Sequence, residues 1–79
     1  MNIKILGTGC SKCQTLDKNV REAVNELELE AEISKVEDIM EIMGYHVINT
    51  PGLVIDEKVV SAGRLLSVKQ LKEILTKNP

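Results

Sequence analysis

Apolar and polar positions alternate over only a few residues at the start of the chain. Ile3, Ile5 and Leu6 flank Lys4, which predicts a short strand over residues 2–6. Gly7 and Gly9 break the run. From about Cys13 the period lengthens. Leu16, Val20, Ala23, Val24 and Leu27 recur at helical spacing with charges on the other face, predicting an amphipathic helix that ends near Glu28. Asp17 and Arg21 stand in the favourable (i, i+4) order for an ion pair worth about 0.3 kcal/mol. Residues 31–36 predict a second strand. Its Glu32 and Lys35 suit a sheet edge, where charge discourages unwanted pairing. Residues 38–43 predict a short helix capped by Asp38 and stopped at Gly44.

Thr50-Pro51-Gly52 punctuates the second half. Leu53-Val54-Ile55 then reads as a buried strand, Asp56-Glu57-Lys58 as a tight turn, and Val59-Val60 as the return strand of a hairpin ended by Gly63. Ser67-Val68-Lys69-Gln70 is a capping box, and Val68, Leu71, Ile74 and Leu75 form the apolar face of the helix it opens. The order β-α-β-α-β-β-α defines an α/β fold. Its opening strand–helix–strand unit should be parallel and right-handed, and its hairpin antiparallel. The expected sheet is four-stranded and mixed, with the first and third strands central because they are the most apolar. Helices cover both of its faces, the first and last helices taking them between them.

The 79 residues, with no linker, repeat or low-complexity stretch, predict a single domain over 1–79. Tyr45 is the only aromatic residue, so the core is aliphatic. A net charge of −2 without a basic cluster speaks against a nucleic-acid partner. No apolar run approaches the roughly 20 residues of a membrane span, and no secretory signal pattern opens the chain. The expectation is a monomeric cytoplasmic protein with no membrane partner.

Cys10 and Cys13 are the only cysteines, and they fall at the predicted strand-to-helix junction. Two thiols at this spacing on a first helical turn can close a small disulfide ring. The helix N-terminus there favours thiolate over thiol. Such a pair is redox-active or metal-binding far more often than incidental, and in a reducing cytosol its disulfide is transient rather than a staple. Cys10, at the outer end of the motif, is the candidate attacking sulfur, and Cys13, facing the body, the resolving one. Lys12 could lower a thiol pKa or simply be solvated. Ser11 could donate to a thiolate or simply suit a tight turn. His46 reads as a polar loop residue with proton transfer as the minority role, Tyr45 as packing near the site or the second helix, and Arg64 as solvated with an anion or substrate contact as the minority role. For a metal, the two thiols and His46 give three ligands at most, too few for a tetrahedral zinc site within one chain. A soft-metal carrier holding Cu(I) between two thiolates is the rival function. Such carriers run β-α-β-β-α-β and have Met two positions before the first cysteine, where this chain has Thr8. A third reading is a binding module without turnover. The Gly7…Gly9 pair lacks the rest of a phosphate-binding loop.

Three segments together carry a resemblance: Gly7-Thr8-Gly9-Cys10-Ser11-Lys12-Cys13, Thr50-Pro51-Gly52-Leu53-Val54-Ile55-Asp56, and the closing Gly63-Arg64-Leu65-Leu66-Ser67 with Gln70-Leu71-Lys72 and Ile74-Leu75. Over essentially its whole length the chain resembles the thioredoxin fold, in particular the small archaeal and bacterial "redox-active disulfide" proteins. The resemblance implies a thiol–disulfide oxidoreductase that cycles Cys10 and Cys13 to reduce disulfides in proteins or small molecules. It implies no bound cofactor, and a separate dithiol or flavin-type reductase as electron donor. It also implies a cis Thr50–Pro51 bond facing the dithiol, with Thr50 and Pro51 contacting substrate and Thr50 pairing with an extended chain. Three features depart from thioredoxin itself. Gly9 replaces the aromatic residue before the first cysteine, Ser11-Lys12 replaces Gly-Pro, and the first strand has no acidic residue to accept a proton. These bear on redox potential, reductase and the deprotonation route of Cys13 more than on reaction type.

Overall fold

In the computed structural model, which describes residues 1–77, the sheet runs β2-β1-β3-β4. Its strands are β1 (Asn2–Leu6), β2 (Glu32–Val36), β3 (Gly52–Ile55) and β4 (Lys58–Ala62). β1 pairs in parallel with β2 and antiparallel with β3, and β3 pairs antiparallel with β4. The two most apolar strands are therefore central, as expected. The helices are α1 (Ser11–Glu26), α2 (Ile39–Gly44) and α3 (Val68–Lys77).

Strand pleating decides which helix covers which face, since successive side chains point to opposite sides. Ile3 and Ile5 of β1 and Leu53 and Ile55 of β3 share one side, where they are buried with Leu16, Val20 and Ala23 of α1 and Leu71 and Leu75 of α3. Leu6, Val36 and Val54 face the other way and bury Ile42 of α2 with Val47. Both faces are covered, but the expected division is corrected. α1 and α3 lie together on one face, and α2 alone covers the other. The apolar stripes of the two longer helices are too wide to be satisfied by the sheet alone, so they also pack on each other. The Asn19 side chain donates to the Leu66 carbonyl (3.0 Å) and Lys72 pairs with Glu26 (3.2 Å) across that contact.

The helix ends also refine the sequence reading. α1 starts earlier than the apolar period suggests, because Cys10 is its N-cap. At its other end Glu28 takes a left-handed conformation (φ 54°), with Glu28 N–H donating to Asn25 O (3.2 Å) and Leu29 N–H to Val24 O (3.1 Å). This is a Schellman closure with glutamate where glycine is usual. α2 does stop at Gly44, but the left-handed residue that closes it is not the glycine. Gly44 is the last helical residue, and His46 (φ 60°) takes the left-handed position, its N–H donating to Met43 O at 2.9 Å. Asp38 caps α2 as expected, accepting from Met40 N–H at 2.9 Å. Ser67 and Gln70 exchange both bonds of the capping box, at 2.9 and 3.2 Å.

The β3–β4 turn places both Asp56 (φ 48°) and Glu57 (φ 68°) in the left-handed region without glycine. Side-chain contacts hold it. Asp56 Oδ1 accepts from Asn2 N–H (2.8 Å), Lys4 Nζ pairs with Glu57 Oε1 (2.7 Å) and donates to Tyr45 Oη (2.9 Å), and Tyr45 Oη donates to Glu57 Oε2 (3.0 Å). Hydrogen bonds from Lys4 and Tyr45 lower the Glu57 pKa from its ordinary 4.5, and bonds to Glu57 and Tyr45 raise that of Lys4.

Two outcomes follow for stability. Leu71→Ala in the α1–α3 core should cost about 2–5 kcal/mol in urea unfolding, whereas Ile48→Ser should stay within about 0.5 kcal/mol, since Ile48 is 94% exposed. The lowered Glu57 pKa contributes stability above its ordinary 4.5 and loses it as pH falls through the folded value. The raised Lys4 pKa contributes below its ordinary 10.5 and loses it as pH rises through the folded value. The effect is modest for partly exposed partners. Glu57→Gln should therefore lower the urea midpoint at neutral pH, and the difference from wild type should vanish on acidification below the carboxylate range.

Candidate active site

The dithiol sits where β1 leaves the sheet. Gly9 has φ 88°, a left-handed turn that brings the chain to Cys10 in an extended conformation (φ −67°, ψ 164°), and α1 begins at the next residue. Cys10 Sγ accepts the N–H of Cys13 at 3.2 Å, taking the place of the Ser, Thr or Asp oxygen that usually caps a helix. The two sulfurs are joined as a disulfide, with the Cα atoms 5.1 Å apart. Their surroundings differ sharply. Cys10 is exposed, while Cys13 is 5% exposed and packs with its back to the protein. Gln14 ties the turn to the helix, its Nε2 donating to Gly9 O at 3.2 Å.

Gly7 decides how close the second sulfur comes to β1. A Cβ at this position would overlap Cys13 Sγ, lie 3.1 Å from Cys13 Cβ and lie 3.9 Å from Thr50 Cβ. Cys13 and Thr50 thus flank one point on the backbone. The Thr50–Pro51 peptide is cis. Pro51 is fully buried and its carbonyl accepts from Gly63 N–H (2.8 Å), while Thr50 is exposed. The structure therefore brings four of the predicted residues together: Cys10, Cys13, Thr50 and Pro51.

Other candidates fall away from the sulfurs. Ser11 and Lys12 are exposed in the first turn of α1, and among the described residues no side-chain hydrogen bond or ion pair links either to a cysteine. His46 is exposed at the end of α2, with no described bond to the dithiol, and Arg64 is exposed after β4. Tyr45 packs against the α2-side core and bonds Lys4 and Glu57. Among the described residues no three His, Cys, Asp or Glu side chains converge as a metal-ligand group, and the element order ends on a helix rather than the strand of a β-α-β-β-α-β carrier.

Sequence reading missed two groups. A cleft of about 210 Å³ lies beside Cys13, lined by Gly7, Gln14, Lys35 and Glu37 among others. Lys35 had an explanation in edge protection, yet its ammonium reaches across to Asp17 (3.6 Å), one helical turn beyond Cys13. The (i, i+4) relation of Cys13 to Asp17 was the available signal. The second group is a cleft on the opposite side of the loop, which Thr8 and Thr50 share with apolar residues of α2. Its signal was the density of Ile and Met in a helix too short to bury them all.

A buried sulfur behind an exposed one, held on a helix N-terminus beside a cis-proline loop, is equipped for dithiol–disulfide exchange. Comparison with known proteins agrees. A thioredoxin-domain family model matches residues 1–76. A thioredoxin of Methanothermobacter thermautotrophicus is 42% identical over 76 residues, covering 96% of this chain and 99% of its own. A thioredoxin of Methanocaldococcus jannaschii is 47% identical over 73 residues, covering 92% of this chain and 84% of its own. The chain belongs to the thioredoxin family. It is a small thiol–disulfide oxidoreductase.

The close approach at Gly7 yields a direct test. Gly7→Ala should destabilise the oxidised protein by about 1–3 kcal/mol in urea unfolding, since the added methyl must displace Cys13 or the strand.

Proposed function

We propose that this protein reduces disulfides, with Cys10 attacking and Cys13 resolving. The observation that carries the reading is the asymmetry of the pair: Cys10 is exposed and capped onto α1, and Cys13 is buried directly behind it. In the reduced protein the backbone N–H of Cys13 and the α1 N-terminus favour negative charge on the Cys10 sulfur. The Cys10 thiolate attacks one sulfur of the substrate disulfide, a mixed disulfide forms, and the first substrate thiolate leaves and takes a proton. Cys13, deprotonated in turn, attacks Cys10 Sγ. The mixed disulfide breaks, the second substrate thiol leaves, and the Cys10–Cys13 disulfide closes. Two electrons pass from the protein to the substrate.

Thr50 and Pro51 are the substrate-contacting residues on this reading. Thr50 is exposed beside Cys13, and no described hydrogen bond uses its backbone N–H or C=O, which leaves both for an extended substrate. Ser11 and Lys12 border Cys10 along the chain, but on this reading the thiolate is favoured by the backbone of the helix terminus rather than by either side chain. Substrates are disulfide-containing proteins or small molecules. The electrons return from a separate dithiol or a flavin-type reductase, and no resident cofactor is required. Among the described residues no helix is long and apolar enough to cross a membrane. The reading places the protein in a reducing cytosol, where such a disulfide is transient.

Single-cysteine variants separate the two roles. Cys13→Ser should accumulate a stable mixed disulfide with a model disulfide, visible by mass spectrometry as one added substrate half. Cys10→Ser should react slower by about an order of magnitude or more, its remaining thiol being buried. Equal alkylation rates for the two variants across pH would remove the assignment.

A further inference from the structure

Two cations stand at the dithiol end without partners. Among the described residues the ion pairs use Lys4, Arg21, Lys35 and Lys72, and leave Lys12 and Arg64 exposed and unpaired. The fold brings these two to the same side of the site. Residues 12, 16, 19 and 23 fall on one stripe of α1. Leu16 and Ala23 of that stripe are buried in the cluster that holds Leu66, and Asn19 donates to the Leu66 carbonyl (3.0 Å). Lys12 therefore tops the stripe that faces the segment 63–66, one turn from Leu16. That segment starts at Gly63, whose N–H bonds the Pro51 carbonyl (2.8 Å), so Arg64 stands where the chain leaves the cis-proline loop for α1.

The acidic groups of this end lie across the site. β2 and β4 are the two edges of the sheet, and both finish at the end where β1 delivers the dithiol. Glu37 and Asp38 follow β2, and Glu37 shares the cleft beside Cys13 with Gln14. Arg64 follows β4. The dithiol thus lies between a negative edge and a positive one.

We infer that Lys12 and Arg64 select the substrate: they favour small disulfides that carry a carboxylate or other anion a few bonds from the sulfur. The inference rests on the disulfide reduction proposed above and names its substrate class. With one sulfur of such a molecule at Cys10, its anion lies toward the β4 edge, where two long, unpaired side chains close on it. Arg64 offers a planar fork that matches a carboxylate with two hydrogen bonds, and Lys12 a mobile point charge. Their field also raises the encounter rate of an anion. A long acidic polypeptide spans both edges, so what it gains at Arg64 it loses against Glu37 and Asp38. The small disulfide takes two electrons and two protons and leaves as two thiols, while Cys10 and Cys13 close their own disulfide.

The test uses pre-reduced protein in single turnover, freed of excess reductant. Its three probes are dithiodiglycolate, hydroxyethyl disulfide and cystamine, which are anionic, neutral and cationic. Each rate is divided by that of the same probe with mercaptoethanol, which removes differences in intrinsic reactivity. The normalised rate should fall in that order, with a span of about tenfold from first to last, the scale of two exposed ion pairs. In Arg64→Gln and in Lys12→Gln the ratio of first to last should drop about threefold. In Lys58→Gln, at the far end of the sheet, it should hold. A change in the thiolate fraction of Cys10 alters all three rates alike and leaves the ratio untouched. The ratio should also fall as salt shortens the screening length from about 10 Å at 0.1 M to about 3 Å at 1 M. A wild-type ratio of one or less, or a ratio unchanged in both variants, would overturn the charge selection and leave the reductase reading standing. Faster normalised reaction of a peptide disulfide flanked by Asp and Glu than of dithiodiglycolate would give the cations to an acidic polypeptide, and that too overturns the inference. No reaction with any probe would instead defeat the reductase reading, and the inference with it.

Discussion

The N–H of Cys13 pointing at the sulfur of Cys10 is the contact on which the site depends. A helix must satisfy its first N–H groups from outside its own ladder. Here one of those groups is satisfied by the same atom that makes and breaks the bond in the reaction. Folding and chemistry therefore share a constraint. To cap α1, Cys10 must be extended and exposed, and the residue three positions on must turn inward. The asymmetry between an outer and an inner sulfur is thus a consequence of helix geometry.

The sheet supplies what that contact needs on either side. β1 and β3 are central and lie antiparallel, so the end of β1 meets the beginning of β3. That places Gly7 and Thr50-Pro51 against one another. Gly7 tolerates the approach because it has no side chain, and a larger residue would push Cys13 off the strand. The loop after β4 reaches the same end, where Gly63 bonds the Pro51 carbonyl. Three separated parts of the chain converge on the dithiol because two adjacent central strands run in opposite directions.

Much of this was legible in the residues. The helical pattern was unambiguous along α1, where burial is one-sided, and the short apolar run of residues 2–6 ended sharply at glycine, so order, sheet class and dithiol position could be read directly. The capping box at Ser67 announced α3 to the residue. Less legible was whatever depends on partners distant in sequence. That α1 and α3 share a face follows from three-dimensional packing, because either helix alone would fit either side of the sheet. The left-handed ends at Glu28 and His46 carried no glycine to reveal them. Lys35 looked like edge protection because its partner Asp17 lies on another element. The cis bond at Thr50–Pro51 was expected through family likeness, since a Thr-Pro pair by itself reads as an ordinary turn.

The two faces of the sheet are unequal in depth. Among the described residues eleven buried ones form the cluster that joins α1 and α3 to the sheet, against five in the cluster that joins α2 to it. Opening free energy scales with the apolar contact that must be broken, so α2, at six residues over the smaller cluster, is held by less of it than α1 or α3. The redox end and the neighbouring apolar face are thereby mounted on different mechanical supports. One is fixed to the thick side of the molecule. The other rides on the thin side, and the residues that support it are not the ones that hold two sulfurs within bonding reach.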